Sequence, residues 1–126
     1  MCLRLSTNVI KHIAKEDIKV FKVLILRNGH LEAPVMNYRY TMNLLNTLQC
    51  PLHLVRYGDK VCIEYGFYSF KDKLDAIDYA YISIVTTSSK CIAECTIPKD
   101  SEYYTDNTVI VSNNLIVNNI LGCVGV

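Results

Sequence analysis

This chain of 126 residues lacks most of the features that would reveal a function. It has no tryptophan, no glycine-rich phosphate-binding motif and no G-x-S-x-G nucleophile motif. Its 13 basic and 12 acidic residues leave a formal charge of +1, so no overall field attracts nucleic acid or an anionic membrane. We therefore expect no nucleic-acid partner and none of the enzyme classes that those motifs mark.

Long apolar runs are also missing. None approaches the roughly 20 residues that a membrane helix needs, and polar side chains interrupt the first 16 residues, where a signal peptide would be apolar. We therefore expect a cytoplasmic protein without a membrane segment, in which all six cysteines are free. Cys91 and Cys95 would lie about 13 Å apart on one face of a strand, too far to share a zinc ion.

The apolar residues that are present make up 51% of the chain, enough for a single domain over residues 1–126. Short β-branched and aromatic runs predict about six strands, at 17–26, 36–42, 61–68, 91–97, 108–112 and 115–121. A tight turn is predicted at Asn28-Gly29 and a polar turn over 99–107. The predicted fold is α+β, a mostly antiparallel sheet of short strands with one principal helix packed on one face.

The principal helix is predicted over residues 72–82. Ser69 or Asp72 can cap its N-terminus. Its apolar side chains recur at helical spacing, namely Leu74, Ile77, Ala80 and Tyr81. We predict that Leu74, Ile77 and Tyr81 pack against the sheet.

Two short motifs stand out, G-F-Y-S-F at 66–70 and I-P-K-D-S-E-Y-Y at 97–104. Together with the apolar run at 115–117 they resemble a family of small uncharacterised proteins of bacteriophages. The common form of that family has G-F-H-S-F and I-P-K-G-S-x-Y-Y, so Tyr68 stands in place of a histidine and Asp100 in place of a glycine. The resemblance implies no known activity. It implies a viral accessory protein that acts on host machinery.

We expect a non-enzymatic phage accessory protein that binds a host protein, for example to inhibit a host defence system. Nine tyrosines favour this interpretation, because tyrosine offers contact area at low entropic cost. The predicted binding residues are Tyr68, Ser69, Glu102, Tyr103 and Tyr104. We predict no catalytic residue, metal or cofactor.

A homodimer is favoured by the segment 107–126, which carries no charged residue. A strand without charged side chains is prone to aggregate when it lies on an open sheet edge. We therefore expect this segment to be covered, either by the domain itself or by a second copy.

The alternative is an enzyme or a nucleotide-binding domain with a site distantly similar to that of ADP-ribosyltransferases. Arg27, Ser69 and Glu94 follow the order in which ADP-ribosyltransferases place an arginine or histidine, a serine and a glutamate. Cys2 would become an N-terminal nucleophile if Met1 were removed, as in N-terminal-nucleophile hydrolases, although 126 residues are few for their four-layer fold. An enzyme should show polar side chains that converge in a concave pocket, whereas a binding protein should show a flat or protruding apolar patch.

Overall fold

The computed structural model describes residues 4–5, 10–33, 38–58, 60–82 and 89–124. These residues contain thirteen strands and one helix, α1 (Lys73–Ile82). In chain order the strands are β1 (Arg4–Leu5), β2 (His12–Ile13), β3 (Ile18–Arg27), β4 (His30–Glu32), β5 (Arg39–Tyr40), β6 (Leu45–Thr47), β7 (Leu54–Tyr57), β8 (Lys60–Ile63), β9 (Phe67–Phe70), β10 (Ser89–Ile97), β11 (Glu102–Thr105), β12 (Val109–Ser112) and β13 (Asn114–Val124).

Most of these strands belong to one large sheet. Eight follow the order β2-β11-β12-β9-β3-β10-β13-β6, with β4 beside β3 and β5 beside β4, while β1, β8 and β7 form a separate small sheet. Neighbouring strands run antiparallel. The predicted α+β class with about six strands is therefore wrong, because the described residues form a β-rich fold with one short helix.

Strand length explains why the sequence pattern missed so many strands. β2 and β5 have two residues and β4 and β6 have three, too few for an alternating pattern to be recognised. β11 occupies the segment predicted as a polar turn, and there Tyr103 and Tyr104 pair with Ser112 and Val111 of β12. Pairing with a neighbour, rather than local propensity, makes these segments strands.

The backbone conformation of two turns can be compared directly with the residues that form them. Asn28 and Gly29 have φ angles of 53° and 77° and connect β3 to β4, which confirms the turn predicted there. Asp100 has a φ of 74°, in the left-handed region that favours glycine. The turn before Ser101 therefore forms although aspartate stands where the resembling family has glycine.

β12 and β13 are joined by one residue, Asn113, yet they lie in different parts of the large sheet. β12 pairs with β9, whereas β13 pairs with β10. The Asn113 amide donates to the Glu102 carbonyl in β11, and the Asn113 carbonyl accepts a hydrogen bond from the Leu48 amide just after β6. The two halves of the sheet therefore meet at Asn113. We call the face that carries Val20 and Leu24 the inner face and the opposite face the outer face.

Each face of the sheet supports its own apolar cluster. The inner core consists of Val20, Leu24, Tyr40, Phe67, Ala93, Cys95, Ile97, Ile110, Leu115 and Val117. The outer core consists of Val23, Ile63, Phe70, Ala76, Ala80, Ile92, Val109 and Val111, and it is covered by α1 and by β8. This division follows from the alternation of side chains along a strand, since β3 sends Val20 inward and Val23 outward.

Helix α1 lies where it was predicted, but only part of its predicted face packs against the sheet. Ala76 and Ala80 are 0% and 2% exposed against the outer core, whereas Leu74 and Tyr81 are 73% and 70% exposed. The predicted packing through Leu74 and Tyr81 is therefore wrong, whereas Ile77 is partly buried and packs against the outer core as predicted. Alanine allows the helix backbone to approach the sheet closely, so the small residues are buried and the large ones are displaced outward. Lys90 stabilises the end of α1, where its ammonium donates to the Ala80 carbonyl at 3.2 Å.

The expectation of six free cysteines is also wrong. Cys91 of β10 and Cys123 of β13 are direct partners across the strand pair, with Cα atoms 4.0 Å apart, and form a disulfide. The two residues are 32 positions apart in sequence, so only the strand register brings them together. Cys50 is exposed and Cys95 is buried, and neither is disulfide-bonded. Among the described residues no helix has the length and apolar character needed to cross a membrane.

Candidate functional site

The predicted binding residues lie on β9 and β11, on either side of β12. Tyr68 and Tyr104 both lie opposite Val111 and therefore share the outer face, where both are partly buried. The Tyr68 hydroxyl donates to the Ile63 carbonyl at 2.5 Å and accepts from the Ile63 amide at 3.1 Å. Tyr68 thus connects β9 to β8 in addition to covering the outer core.

The other predicted binding residues do not join this outer surface. Ser69 is 0% exposed on the inner face, and Tyr103 stacks on His12 with ring centroids 5.1 Å apart while packing against the inner core. Glu102 lies 3.8 Å from the Lys11 ammonium, and its backbone amide donates to Asn113 Oδ1. The five residues are thus divided between two faces of the sheet, and their role in binding stays a prediction.

The three residues of the enzyme alternative are also separated. Arg27 ends β3 and forms an ion pair with Glu32 at 3.5 Å. Ser69 faces inward, whereas Glu94 lies between Ala93 and Cys95 of the inner core and must therefore point outward. Arg27, Ser69 and Glu94 do not converge on one site. Cys2, the other suggested nucleophile, lies outside the described residues.

The best candidate for a functional surface is the outward side of α1. Leu74, Ile77 and Tyr81 follow the spacing i, i+3, i+7, which places them along one side of the helix. We call these three residues the α1 stripe. Ile77 is partly buried, and the side chains at both ends of the stripe are more than two-thirds exposed. An apolar stripe at this spacing is how a helix docks into the groove of a partner protein.

Acidic residues accompany the stripe. Asp75 and Asp78 lie in α1 and Asp72 lies just before it, so that carboxylates recur every third residue. Lys73 is the single basic residue within the helix. Carboxylates beside an apolar stripe complement a partner surface with an apolar groove and a basic rim.

A second unusual feature is a buried lysine. Lys22 lies between Val20 and Leu24 on the inner face of β3 and is 5% exposed. Its ammonium donates to the Tyr68 carbonyl and lies 5.5 Å from the centroid of the Tyr40 ring. Burial lowers the pKa of Lys22 to about 8, and the nearby Cys95 opposes part of this shift.

The groups around Lys22 are polar and mostly neutral. Burial raises the pKa of the Cys95 thiol to about 12, despite the opposing effect of Lys22. Burial also raises the pKa of Tyr40 well above its ordinary value. Within the described part of the chain, the hydroxyls of Tyr40 and Ser69 have no hydrogen-bond partner. A thiol with so high a pKa is a poor nucleophile, so this cluster does not resemble an activated catalytic site.

Lys22 has a structural explanation. β3 and β9 share a single residue pair, Phe21 with Phe70, and the Lys22 ammonium bonds a β9 carbonyl next to that pair. The side chain thus holds together two strands whose own pairing is short. The sequence contained the signal, because Lys22 is in phase with Ile18 and Val20, but lysine is rarely buried and the pattern alone did not justify placing it inside.

Comparison with known proteins gives no further guide, because no family model, no curated protein and no solved structure matches this chain.

Proposed function

We propose that this protein is a non-enzymatic binding protein and that it attaches to a partner protein through the α1 stripe. The observation that carries the proposal is the orientation of α1, which buries Ala76 and Ala80 and leaves the larger Leu74 and Tyr81 exposed. Large apolar side chains gathered on one exposed surface are typical of interaction sites.

Burial of the stripe would supply substantial affinity. Removing a leucine or an aromatic side chain from water contributes roughly 1.5–3 kcal/mol, and a few such anchors dominate most protein interfaces. Asp75 and Asp78 would add orientation and a faster association with a basic surface. The partner chemistry that fits is therefore an apolar groove with basic residues at its rim.

The sequence resemblance supplies the biological context of the proposal. If the chain acts as a phage accessory protein, its partner is a host protein, for example a component of a defence system, and they meet in the host cytoplasm. The cytosol keeps most thiols reduced, so this location predicts that Cys91 and Cys123 face each other as thiols in the cell. Trapping free thiols with an alkylating reagent at the moment of lysis would test the location separately from binding.

The binding proposal is tested by crosslinking from defined positions. A photo-crosslinking side chain placed at Leu74 should capture a partner from lysate of a bacterial host, whereas the same group at Ile10 should not. Ile10 is the matched control, because it is 69% exposed and lies outside the stripe. Capture of equal strength from both positions would contradict the proposal.

Substitutions then decide whether the partner binds to the α1 stripe or to the residues of β11. Leu74→Asp with Tyr81→Ala should weaken capture at least about tenfold, with the melting temperature unchanged because both side chains are exposed. Glu102→Ala with Tyr104→Ala should leave capture intact. The reverse result would move the binding surface to β11 and overturn the assignment to α1.

A further inference from the structure

The edge of the large sheet formed by β6 and β13 carries no charge. The two longest stretches without Asp, Glu, Lys or Arg in this chain are 107–126 and 40–55. β13 comes from the first and β6 from the second, and the two strands pair through Leu45 and Ile116. The fold therefore brings the chain's two uncharged segments together at one edge, which we call the neutral edge.

Part of the neutral edge is open. β6 pairs with β13 only over residues 114–116, and the Asn43 amide donates to the Val117 carbonyl at 2.9 Å. From residue 118 to residue 124, β13 pairs with β10 on one side, and no described residue pairs with its other side. Backbone groups that are left unpaired by the described residues form a template on which another strand can pair.

Large apolar side chains are exposed along the same edge. Leu44 and Leu45 are 62% and 56% exposed, and Ile120 and Leu121 are 39% and 40% exposed. Exposed edges are usually protected by charged side chains or by bulges. Register shifts place extra residues at Asn118 and Leu121, as in a bulge, but the apolar exposure remains and no charge accompanies it.

The open part of β13 is held in place. Pairing with β10 extends to the end of β13, where Cys91 and Cys123 lie opposite each other, and Thr96 donates to Asn118 Oδ1 at 2.7 Å near the start of the open part. An edge that is already ordered loses little conformational entropy when another strand pairs with it.

We propose that the neutral edge is the contact between two copies of this chain, related by a two-fold axis near Leu121. Such an axis aligns residues 118–124 of one copy antiparallel to the same residues of the other. An edge without charges offers nothing that would select a different, charged partner. An identical edge matches it in strand length and in hydrogen-bonding groups and meets no like-charge repulsion. The contact uses different residues from the α1 stripe, so the two proposals are independent.

The oligomeric state tests this proposal. Sedimentation of the wild-type protein should give twice the chain mass of 14.3 kDa. Leu121→Lys and Leu121→Glu, measured separately, should each weaken association at least about tenfold, because each brings two like charges together at the axis. Mixing the two variants should restore a dimer, since opposite charges then meet.

The matched control is Leu74→Lys, which adds the same charge to an exposed leucine of α1 and should leave the dimer unchanged. Circular dichroism of each variant checks that the fold is retained. A wild-type protein that stays monomeric up to about 1 mM would overturn the proposal. So would Leu121 variants that dimerise like the wild type, or mixed variants that fail to associate.

Discussion

The inner core of the large sheet contains a charged side chain and the neutral edge contains none, which is the reverse of the usual arrangement. The inner core contains the ammonium of Lys22, which is 5% exposed, whereas the neutral edge contains no charged side chain from either of its strands. Charge is normally kept out of cores and placed on open edges. In both regions the presence or absence of a charge is explained by how strands pair. Lys22 joins two strands that barely pair, and the lack of charge at the edge suits the proposed pairing with a second copy.

The two regions also differ in what maintains them. Around Lys22, packing against Val20, Leu24 and Tyr40 keeps the ammonium from water and lowers its pKa. At the neutral edge, a disulfide and a few hydrogen bonds hold an exposed strand in place. Perturbing either region should therefore give a distinct change in stability.

Reduction of the Cys91–Cys123 disulfide should give the largest change. The bridge closes a loop with a sequence separation of 32, for which chain-entropy arguments give about 3–4 kcal/mol of stabilisation. Urea unfolding with and without a reductant measures this difference. Hydrogen exchange should show that β13 loses protection first, while β3 beside Lys22 keeps its protection until global unfolding. Equal loss in both strands would show that the edge is not a separately stabilised region.

Lys22 should make the protein more stable as the pH rises through about 8. Its pKa is about 8 when folded and 10.5 ordinarily, so between these values the unfolded chain binds more protons and stability rises with pH. The gain approaches about 1.4 kcal/mol per pH unit and about 3 kcal/mol in total. Lys22→Met should abolish this rise, which unfolding curves between pH 7.5 and 9 would detect. The same rise in the variant would contradict the assignment.

Cys95 should produce the opposite slope at higher pH. Its thiol has a pKa of about 12 when folded and 9.0 ordinarily, so above pH 9 the unfolded chain loses the proton first and stability falls. The Lys22 contribution rises up to about pH 10.5 while the Cys95 contribution falls from about pH 9, so the two nearly cancel in between, and the wild type should be most stable between about pH 9 and 10.5. Cys95→Ala should reduce the fall in stability at high pH and leave the rise near pH 8 unchanged. Loss of both the rise and the fall would mean that Lys22 and Cys95 do not titrate independently.

The long central strands could be predicted from the sequence, because a long apolar run indicates a buried strand. The run at 17–26 became β3 and the run at 91–97 became part of β10. The short strands could not be predicted in this way, since two or three residues carry no period and are fixed by their neighbours. The fold class was wrong for this reason.

The candidate surfaces were predictable only in part. The helix at 72–82 was located correctly, but the choice between Leu74 and Ala76 as the buried side depends on how closely the helix approaches the sheet. That distance is a tertiary property which local spacing does not contain. The charge-free segment 107–126 was recognised, but its pairing with the uncharged segment at 40–55 emerged only from the register of β6 and β13.

A smaller effect is expected from two buried serines that differ in hydrogen bonding. Ser69 and Ser112 are both 0% exposed, but the Ser69 hydroxyl lacks a partner among the described residues. The Ser112 hydroxyl donates to the Asn114 carbonyl at 2.9 Å. Ser69→Ala should be neutral or stabilise by up to about 1 kcal/mol, and Ser112→Ala should destabilise by about 1 kcal/mol. Equal destabilisation in urea would show that Ser69 has a partner, for example a bound molecule in the inner core.

The smallest expected effect on stability is that of a charge added to the neutral edge. Leu121 is 40% exposed, and substitutions at exposed positions usually change the free energy of unfolding by less than about 0.5 kcal/mol. Leu121→Lys should therefore unfold at the same urea concentration as the wild type when both are diluted to monomer, although Leu121→Lys no longer dimerises. The contrast with Lys22 is then direct, since a lysine in the inner core shifts stability with pH and a lysine at the edge affects only association. If Leu121→Lys instead destabilises the monomer by 1 kcal/mol or more, on the order of a buried polar substitution, the edge is covered within the chain itself. The absence of charge there would then reflect core packing.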